Sequence, residues 1–237
     1  MFEVVIQLGA ILAVVVMYWK NIFPFTNKKD RGYKKTGFLS HVDKNIMGMW
    51  GKILVACIPA AVIGLLFDDK INELFYNPTV IAIALIVFGI AFIFIENWHK
   101  SRKSEPRVNN ALQITYRDAL IIGVFQLIAA IFPGTSRSGA TIIGGLLIGL
   151  SRVTAAEFTF YLAIPVMFGA SLLKLIKFGL AFTGTELAIL IVGMVVAFIV
   201  SVLVIKFLMS YIKKHDFKVF GWYRIILGIL VLATLVF

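Results

Sequence analysis

The sequence predicts an all-α polytopic membrane protein with six transmembrane helices and one re-entrant helical hairpin. Of the 237 residues, 60% are hydrophobic and only 15% are charged, and the mean hydropathy is +0.96. Soluble domains are closer to half apolar and a quarter charged, so this composition excludes a disordered chain, a disulfide scaffold and an ordinary cytosolic enzyme. A helix needs about 20 apolar residues to cross the hydrocarbon core. The runs that approach this length are 2–19, 53–67, 80–98, 155–176, 186–209 and 220–237.

The basic residues are concentrated in three loops, and these loops orient the predicted spans. Eight lysines and arginines lie between Lys20 and Lys52, and further clusters lie between Lys100 and Asp118 and from Lys206 to Arg224. By contrast, the loop 68–79 holds one lysine against three acids. Cytoplasmic loops carry such an excess of cations. The formal net charge of +11 therefore indicates membrane orientation rather than a nucleic-acid partner.

One apolar segment, 119–150, is expected to enter the membrane and return on the same side. Its first arm, 119–132, has 14 residues, and as a helix it is only about 21 Å long. A polar heptapeptide, PGTSRSG at 133–139, separates it from a second short arm, 140–150. A single crossing would place the last basic loop outside. We therefore predict a re-entrant hairpin whose tip lies near the middle of the bilayer.

The predicted orientations divide the single membrane domain, 1–237, into two repeats of opposite direction. Residues 1–98 contain three spans, and residues 119–237 contain the hairpin followed by three spans in the inverted orientation. Inverted repeats are typical of membrane proteins whose site lies where the repeats meet. Since the first repeat lacks a hairpin, we expect one of similar size before Phe2 in the complete protein.

Arg137 carries the functional prediction, because it is the only arginine that we place deep in an apolar segment. Such a position costs about 2.5–3.5 kcal/mol on insertion scales, so the guanidinium should face a polar cavity or an anion. Gly134 and Gly139 let the backbone approach a ligand, and a helix beginning near Ser138 directs free amides to the same point. Together these features predict an oxyanion clamp. The alternative is a capped helix start whose arginine is satisfied by carbonyls. The hydroxyls of the segment are Thr135, Ser136, Ser138 and Thr141.

Few other polar side chains lie at membrane depth, and each has more than one interpretation. Gln126 points into the cavity or makes a helix contact. Glu157 orients Arg137, holds a metal or pairs with Arg152. Glu96 lies at a span end, where we expect solvent exposure. Glu3 opens the first span, where we also expect exposure, and the histidines fall in predicted cytoplasmic loops: His41, His99 and His215.

No cluster in the sequence has the spacing of a closed metal site. A common lipid-phosphatase signature, Ser-Arg followed six residues later by His, is also missing. The corresponding positions are Ile143 after Arg137 and Phe158 after Arg152. The sequence therefore disfavours that class of phosphatase.

Three stretches of the chain resemble the undecaprenyl-pyrophosphate phosphatase family, the bacterial bacitracin-resistance phosphatases. They are residues 2–9 (FEVVIQLG), 133–141 (PGTSRSGAT) and 151–165 (SRVTAAEFTFYLAIP). The resemblance implies hydrolysis of the C55 isoprenyl diphosphate to the monophosphate at the outer face of the bacterial cell membrane. The implied partners are this lipid and the bilayer, and a homodimer is left open. The implied catalytic residues are Arg137, Ser136 and Thr141, and the expected substrate-binding residues are Gly134, Thr135, Ser138, Gly139, Gln126 and Glu157.

The chain departs from this family in one respect, since the first family motif would lie upstream of Phe2. The resemblance implies that this motif supplies the carboxylate ligands of a divalent metal, Mg²⁺ or Ca²⁺, and a hydroxyl and histidine for the chemistry. In the second repeat Gln126 and Ala130 occupy the equivalent acidic positions. We expect the complete protein to be an enzyme and the printed chain to have little turnover.

Two other functions remain open. A lipid-phosphate transporter or flippase would also use an inverted repeat with an anion site. Such a protein would move labelled lipid across a vesicle membrane without releasing phosphate. A purely structural membrane subunit would leave Arg137 without a purpose.

Overall fold

The computed structural model describes residues 2–25, 42–101, 105–178 and 183–236. These residues form α-helices and one short 3₁₀ turn, and they contain two isolated β-bridges but no β-strand. Five of the helices contain segments long and apolar enough to cross a membrane, Lys44–Phe75, Pro78–Ser101, Arg152–Ile176, Gly184–Ile212 and Lys218–Leu235. The helices are α1 (Phe2–Val5), α2 (Gln7–Met17), α3 (Trp19–Ile22), α4 (Lys44–Phe75), α5 (Pro78–Ser101), α6 (Tyr116–Ile131), α7 (Arg137–Leu147), α8 (Arg152–Phe178), α9 (Gly184–Ile212) and α10 (Lys218–Val236).

The first predicted span, 2–19, is not one continuous helix. It divides at Ile6 and Tyr18 into α1, α2 and α3; Ile6 keeps helical torsion angles, whereas Tyr18 departs from them with φ −108° and ψ 17°. The longest piece, α2, has 11 residues, so its length is about 17 Å. The predicted number of six long spans is therefore not confirmed within the described residues.

The structure divides into two compact units. The first comprises Met1–Ile53 and Phe160–Leu208, and the second comprises Leu54–Thr159 and Met209–Phe237. In the first unit, Trp50 Nε1 donates a hydrogen bond of 2.7 Å to the Ile22 carbonyl oxygen. The rings of Tyr18 and Tyr161 meet edge to face with centroids 5.3 Å apart. These contacts hold the end of the broken first helix.

In the second unit, α5 and α10 approach each other at paired glycines. A Cβ atom at Gly89 would lie 2.7 Å from the Gly221 carbonyl oxygen, and one at Gly221 would lie 2.8 Å from the Gly89 carbonyl oxygen. Helices in membranes use small residues for such close packing. The contact is reciprocal, since each helix presents a glycine to the backbone of the other.

Glu96, near the end of α5, is fully buried, which corrects our prediction of solvent exposure. Arg152 Nε donates to both carboxylate oxygens of Glu96 at 3.0 Å. The Phe217 amide donates to one of the same oxygens at 3.1 Å. Arg152 therefore pairs with Glu96 rather than with Glu157. The prediction failed because the start of α8 and the segment before α10 close over this carboxylate.

The segment predicted as a hairpin forms the short helices α6 and α7, whose outer ends are tied together. Val108 donates a hydrogen bond of 3.3 Å to the Gly149 carbonyl oxygen and accepts one of 2.9 Å from the Ser151 amide. Arg107 binds both the Ile148 carbonyl oxygen, at 3.1 Å, and Asp118 in the first turn of α6, at 2.6 Å. The start of α6 thus lies beside the end of α7.

The bounds of these helices differ slightly from the predicted arms. The helix α6 begins at Tyr116 rather than 119, because Thr115 and Asp118 form a capping box. The helix α7 ends at Leu147 rather than 150, and Gly149 follows with φ +88°. The two arms pack together where Gly144 lies against the Phe125 ring.

Candidate functional site

The turn between α6 and α7 depends on Gly134. This residue has φ +92°, a conformation that disfavours any residue with a side chain. A Cβ atom there would also lie 2.6 Å from the Ile81 carbonyl oxygen. The next residue, Thr135, is buried, and both its amide and its hydroxyl donate to the Phe132 carbonyl oxygen, at 3.3 and 2.8 Å. The Thr135 hydroxyl is therefore part of the turn.

Ser136 ends the turn and caps α7. Its φ of +64° is rare for a residue with a side chain and is typical of functional sites. Its hydroxyl accepts a hydrogen bond from the Gly139 amide at 3.3 Å and lies 3.3 Å from the Ser138 hydroxyl. The amides of Arg137 and Ser138 bind no acceptor within the described residues. A helix start with free amides attracts anions.

Arg137 is the first residue of α7, and its side chain is exposed together with those of Ser136 and Ser138. In the part of the chain that the structure describes, its guanidinium makes no hydrogen bond and no ion pair. The capped helix start that we weighed as an alternative is present, but no described carbonyl satisfies this arginine. The arrangement is suited to binding an anion from outside the protein.

Three other predicted site residues are committed to helix packing. Thr141 is buried, and its hydroxyl lies 2.9 Å from the Thr159 hydroxyl of α8 and donates to two carbonyls of its own helix. Gly139 is buried, and a Cβ atom there would lie 3.1 Å from the Phe92 ring. Gln126 is 2% exposed, and its side-chain Nε2 atom lies 3.5 Å from the Ala56 carbonyl oxygen. Of its two predicted placements, Gln126 therefore makes the helix contact.

Glu157 is half-buried in α8 and has no hydrogen bond or ion pair among the described residues. The described residues contain no group of three or more His, Cys, Asp or Glu side chains able to hold a metal. Glu96 and Asp118 are already paired with arginines. The divalent metal that the resemblance implies therefore does not fit the described residues, and the side chains of Glu3 and His41 lie outside them.

Sequence reasoning missed Arg224 as a residue that contacts this turn. Arg224 lies in α10 and is only 9% exposed. Its Nη2 atom donates a hydrogen bond of 2.6 Å to the carbonyl oxygen of Gly134. Its Nε atom is buried without a partner in the described structure. The available signal was its place inside the run 220–237, but we had counted it with the cations of the preceding loop.

Comparisons with known proteins agree with the resemblance found in the sequence. Residues 1–230 match the family described as bacitracin resistance protein BacA. The chain is 67% identical over 232 residues to an undecaprenyl-diphosphatase of Desulfitobacterium hafniense, covering 98% of this chain and 80% of that relative. It is 60% identical over 232 residues to undecaprenyl-diphosphatase 1 of Clostridium acetobutylicum, covering 98% and 81% respectively. With its five membrane-length helices, this multi-pass membrane protein belongs to the bacitracin resistance protein BacA family.

Proposed function

We propose that the protein hydrolyses undecaprenyl diphosphate to undecaprenyl phosphate and inorganic phosphate in the bacterial cell membrane, which recycles the carrier lipid for peptidoglycan synthesis. The observation that carries this proposal is the start of α7, where Ser136, Arg137 and Ser138 are exposed. Among the described residues, the amides of Arg137 and Ser138 and the guanidinium of Arg137 have no hydrogen-bond partner. Relatives that share 60% and 67% of their aligned residues with this chain are undecaprenyl-diphosphatases.

The phosphoryl-transfer chemistry depends on the positive charge and the N–H donors at the start of α7. The planar guanidinium of Arg137 binds two phosphate oxygens at once, and the amides of Arg137 and Ser138 bind a third. These groups stabilise the negative charge that develops on the phosphoryl group during transfer. Ser136 and Ser138 have no base within hydrogen-bond reach among the described residues, so we assign both a role in orienting the substrate. Thr141 supports this surface through its contacts with α7 and α8.

We propose that segment 119–150 forms a re-entrant hairpin in the membrane. The contacts of Arg107 support it, because this side chain binds both Asp118 in the first turn of α6 and the Ile148 carbonyl oxygen at the end of α7. The arms are also short, with 16 residues in α6 and 11 in α7. A hairpin of this kind places a polar turn inside the protein at membrane depth, where it is tolerated.

The proposal includes the inverted repeat predicted from the sequence. The helix α5 ends the first repeat and α10 ends the second, and Gly89 and Gly221 make equivalent contacts in the two directions. Reciprocal contacts of this kind are expected where a two-fold axis relates two elements. They support a relation between α5 and α10 by such an axis.

Phosphate release from undecaprenyl diphosphate by the natural gene product in detergent micelles tests the function. We expect Arg137→Ala to lower kcat/KM on the order of 100-fold, the loss seen when one charge-stabilising donor is removed. Arg137→Lys should recover only part of the activity, because an ammonium cannot bind two oxygens in a fixed plane. The matched control is Arg117→Ala, an exposed arginine without a described partner, which should retain the rate.

The same assay separates the alternatives. A near-normal rate in the Arg137→Ala protein would contradict the clamp. Movement of labelled lipid across a vesicle membrane without phosphate release would favour the transporter or flippase. Release of phosphate by the unaltered protein supports hydrolysis directly.

A further inference from the structure

Arg224 is a buried cation that the proposed chemistry does not use. It lies in α10, a helix of membrane length, and has 9% of its surface exposed. Within the described residues it has no carboxylate partner, and its Nε atom is buried without an acceptor. An ionised side chain in such a place is costly and usually marks a functional site. Among the described residues, its guanidinium makes one strong hydrogen bond.

That bond is made to the turn that precedes α7. The Gly134 carbonyl oxygen accepts from Arg224 Nη2 at 2.6 Å. The Thr135 N–H, on the other side of the same peptide group, donates to the Phe132 carbonyl oxygen at 3.3 Å. Both polar ends of this peptide plane are therefore fixed, and the plane cannot rotate without breaking a buried hydrogen bond.

The orientation of this peptide matters for anion binding. Only Thr135 and Ser136 separate Gly134 from the first residue of α7, and Ser136 is held at a positive φ. A carbonyl oxygen that pointed toward a bound phosphate would repel it. The Gly134 carbonyl oxygen is instead directed toward Arg224, from which it accepts a hydrogen bond. Since the turn leads directly into α7, fixing its peptide also fixes the direction of the free amides.

We propose that Arg224 is a positioning residue for the phosphate-binding turn. By binding the Gly134 carbonyl, it holds the backbone in the conformation that presents Ser136, Arg137 and Ser138 to the phosphoryl group. This inference rests on the proposed function for its substrate. It adds to that function a residue on a different helix, 90 positions along the chain from the turn.

The test compares Arg224→Met, Arg224→Lys and the control Arg117→Met in the natural gene product. We expect Arg224→Met to lower kcat on the order of 100-fold, because a small displacement of a positioned group has an effect of this size. KM for the lipid should change little, since the substrate is also held by its hydrocarbon chain. Arg224→Lys keeps a donor to the carbonyl and should recover part of kcat, and Arg117→Met should match the unaltered protein.

A second readout uses Cys57, the single cysteine of the chain, which is half-buried in α4 next to Ala56, whose carbonyl oxygen lies 3.5 Å from the side-chain amide nitrogen of Gln126 in α6. Inorganic pyrophosphate should slow maleimide labelling of Cys57 in the unaltered protein and have less effect in Arg224→Met. This measurement does not depend on turnover. If the unaltered protein releases no phosphate from the lipid, the proposed function fails, while the labelling experiment still tests the role of Arg224.

Three results would overturn the inference. One is a folded Arg224→Met protein with normal kcat and normal protection of Cys57. The second is a change confined to thermal stability, which indicates a purely structural role. If Arg224→Met does not fold, Arg224→Gln replaces it, because its shorter side chain does not reach the carbonyl. Normal kcat and normal protection in that protein would be the third.

Discussion

Asp118 ties the first turn of α6 to Arg107 through a carboxylate whose side chain is only 7% exposed. Burial raises the pKa of Asp118, but hydrogen bonds from Thr115 and Arg107 outweigh this effect, and the pKa lies below its ordinary value. A carboxyl group with a depressed pKa in the folded state contributes stability above its unfolded pKa of about 3.9. This contribution is lost as the pH falls through the lower folded value.

We therefore expect Asp118→Asn to lower the melting temperature in detergent at neutral pH. The loss should be about 2–4 °C, since a helix cap is worth about 1 kcal/mol. Below about pH 4 the difference from the unaltered protein should shrink, because the native carboxylate becomes protonated. The control is Asp69→Asn, an exposed carboxylate without a described partner. A difference that is the same at every pH would contradict the assignment.

The residues of the turn show how far the sequence alone could go. The run PGTSRSG predicted a turn, a helix start and an anion site because glycine, hydroxyls and arginine have local preferences there. It did not distinguish Ser138, which is exposed, from Thr141, whose hydroxyl faces α8. That distinction depends on which helix packs against α7. Arg224 was missed for the same reason, because its partner lies 90 positions away.

At the scale of helices, the packing of α5 against α10 predicts that two glycine-to-alanine substitutions change the stability in opposite directions. Gly89→Ala should destabilise the protein by about 1–3 kcal/mol, because its Cβ atom would overlap the Gly221 carbonyl oxygen. Gly64→Ala in α4 should be neutral or stabilising by up to about 1 kcal/mol, because nothing lies near its Cβ position and alanine favours a helix. Thermal unfolding in detergent measures both, and equal effects would contradict close packing.

The ion pair between Glu96, which is fully buried, and Arg152, whose side chain is 29% exposed, joins α5 to the start of α8. Arg152→Met should destabilise the protein by about 3–5 kcal/mol, because it leaves a buried carboxylate without its counter-ion. Lys218→Met, which removes a partly exposed partner of Asp216, should cost less than about 1 kcal/mol. Replacing both Glu96 and Arg152 with Met should restore much of the stability. Similar losses of stability for Arg152→Met and Lys218→Met would show that burial of the Glu96 carboxylate does not determine the cost of removing its partner.

The sequence predicted where the long helices lie, because runs of apolar residues define them without reference to neighbours, but it did not predict that α4 extends from Lys44 to Phe75. It did not predict the breaks at Ile6 and Tyr18, since neither proline nor glycine marks these positions. Nor did it predict the burial of Glu96, because the position of a carboxylate at the end of an apolar run does not show which segment will cover it.

For the whole molecule, the charge of the loops and the tied ends of the hairpin lead to one prediction. In a Cys57→Ser background, cysteines introduced by Gln113→Cys before α6 and Ser151→Cys after α7 should both react with a membrane-impermeant maleimide from the cytoplasmic side. A cysteine introduced by Asp69→Cys should react from the opposite side, because the end of α4 around it and the following turn hold a single lysine. Labelling of the Gln113 and Ser151 positions from opposite sides would show that the segment crosses the membrane completely.

The tied base of the hairpin also bears on how the protein is made. Arg107 and the Ile148 carbonyl are 41 positions apart, so the hairpin can close on itself while later helices are still being synthesised. The bond between Arg224 and Gly134 spans 90 positions and must wait for α10. The turn should therefore adopt its final shape only after α10 has been synthesised and has packed against it.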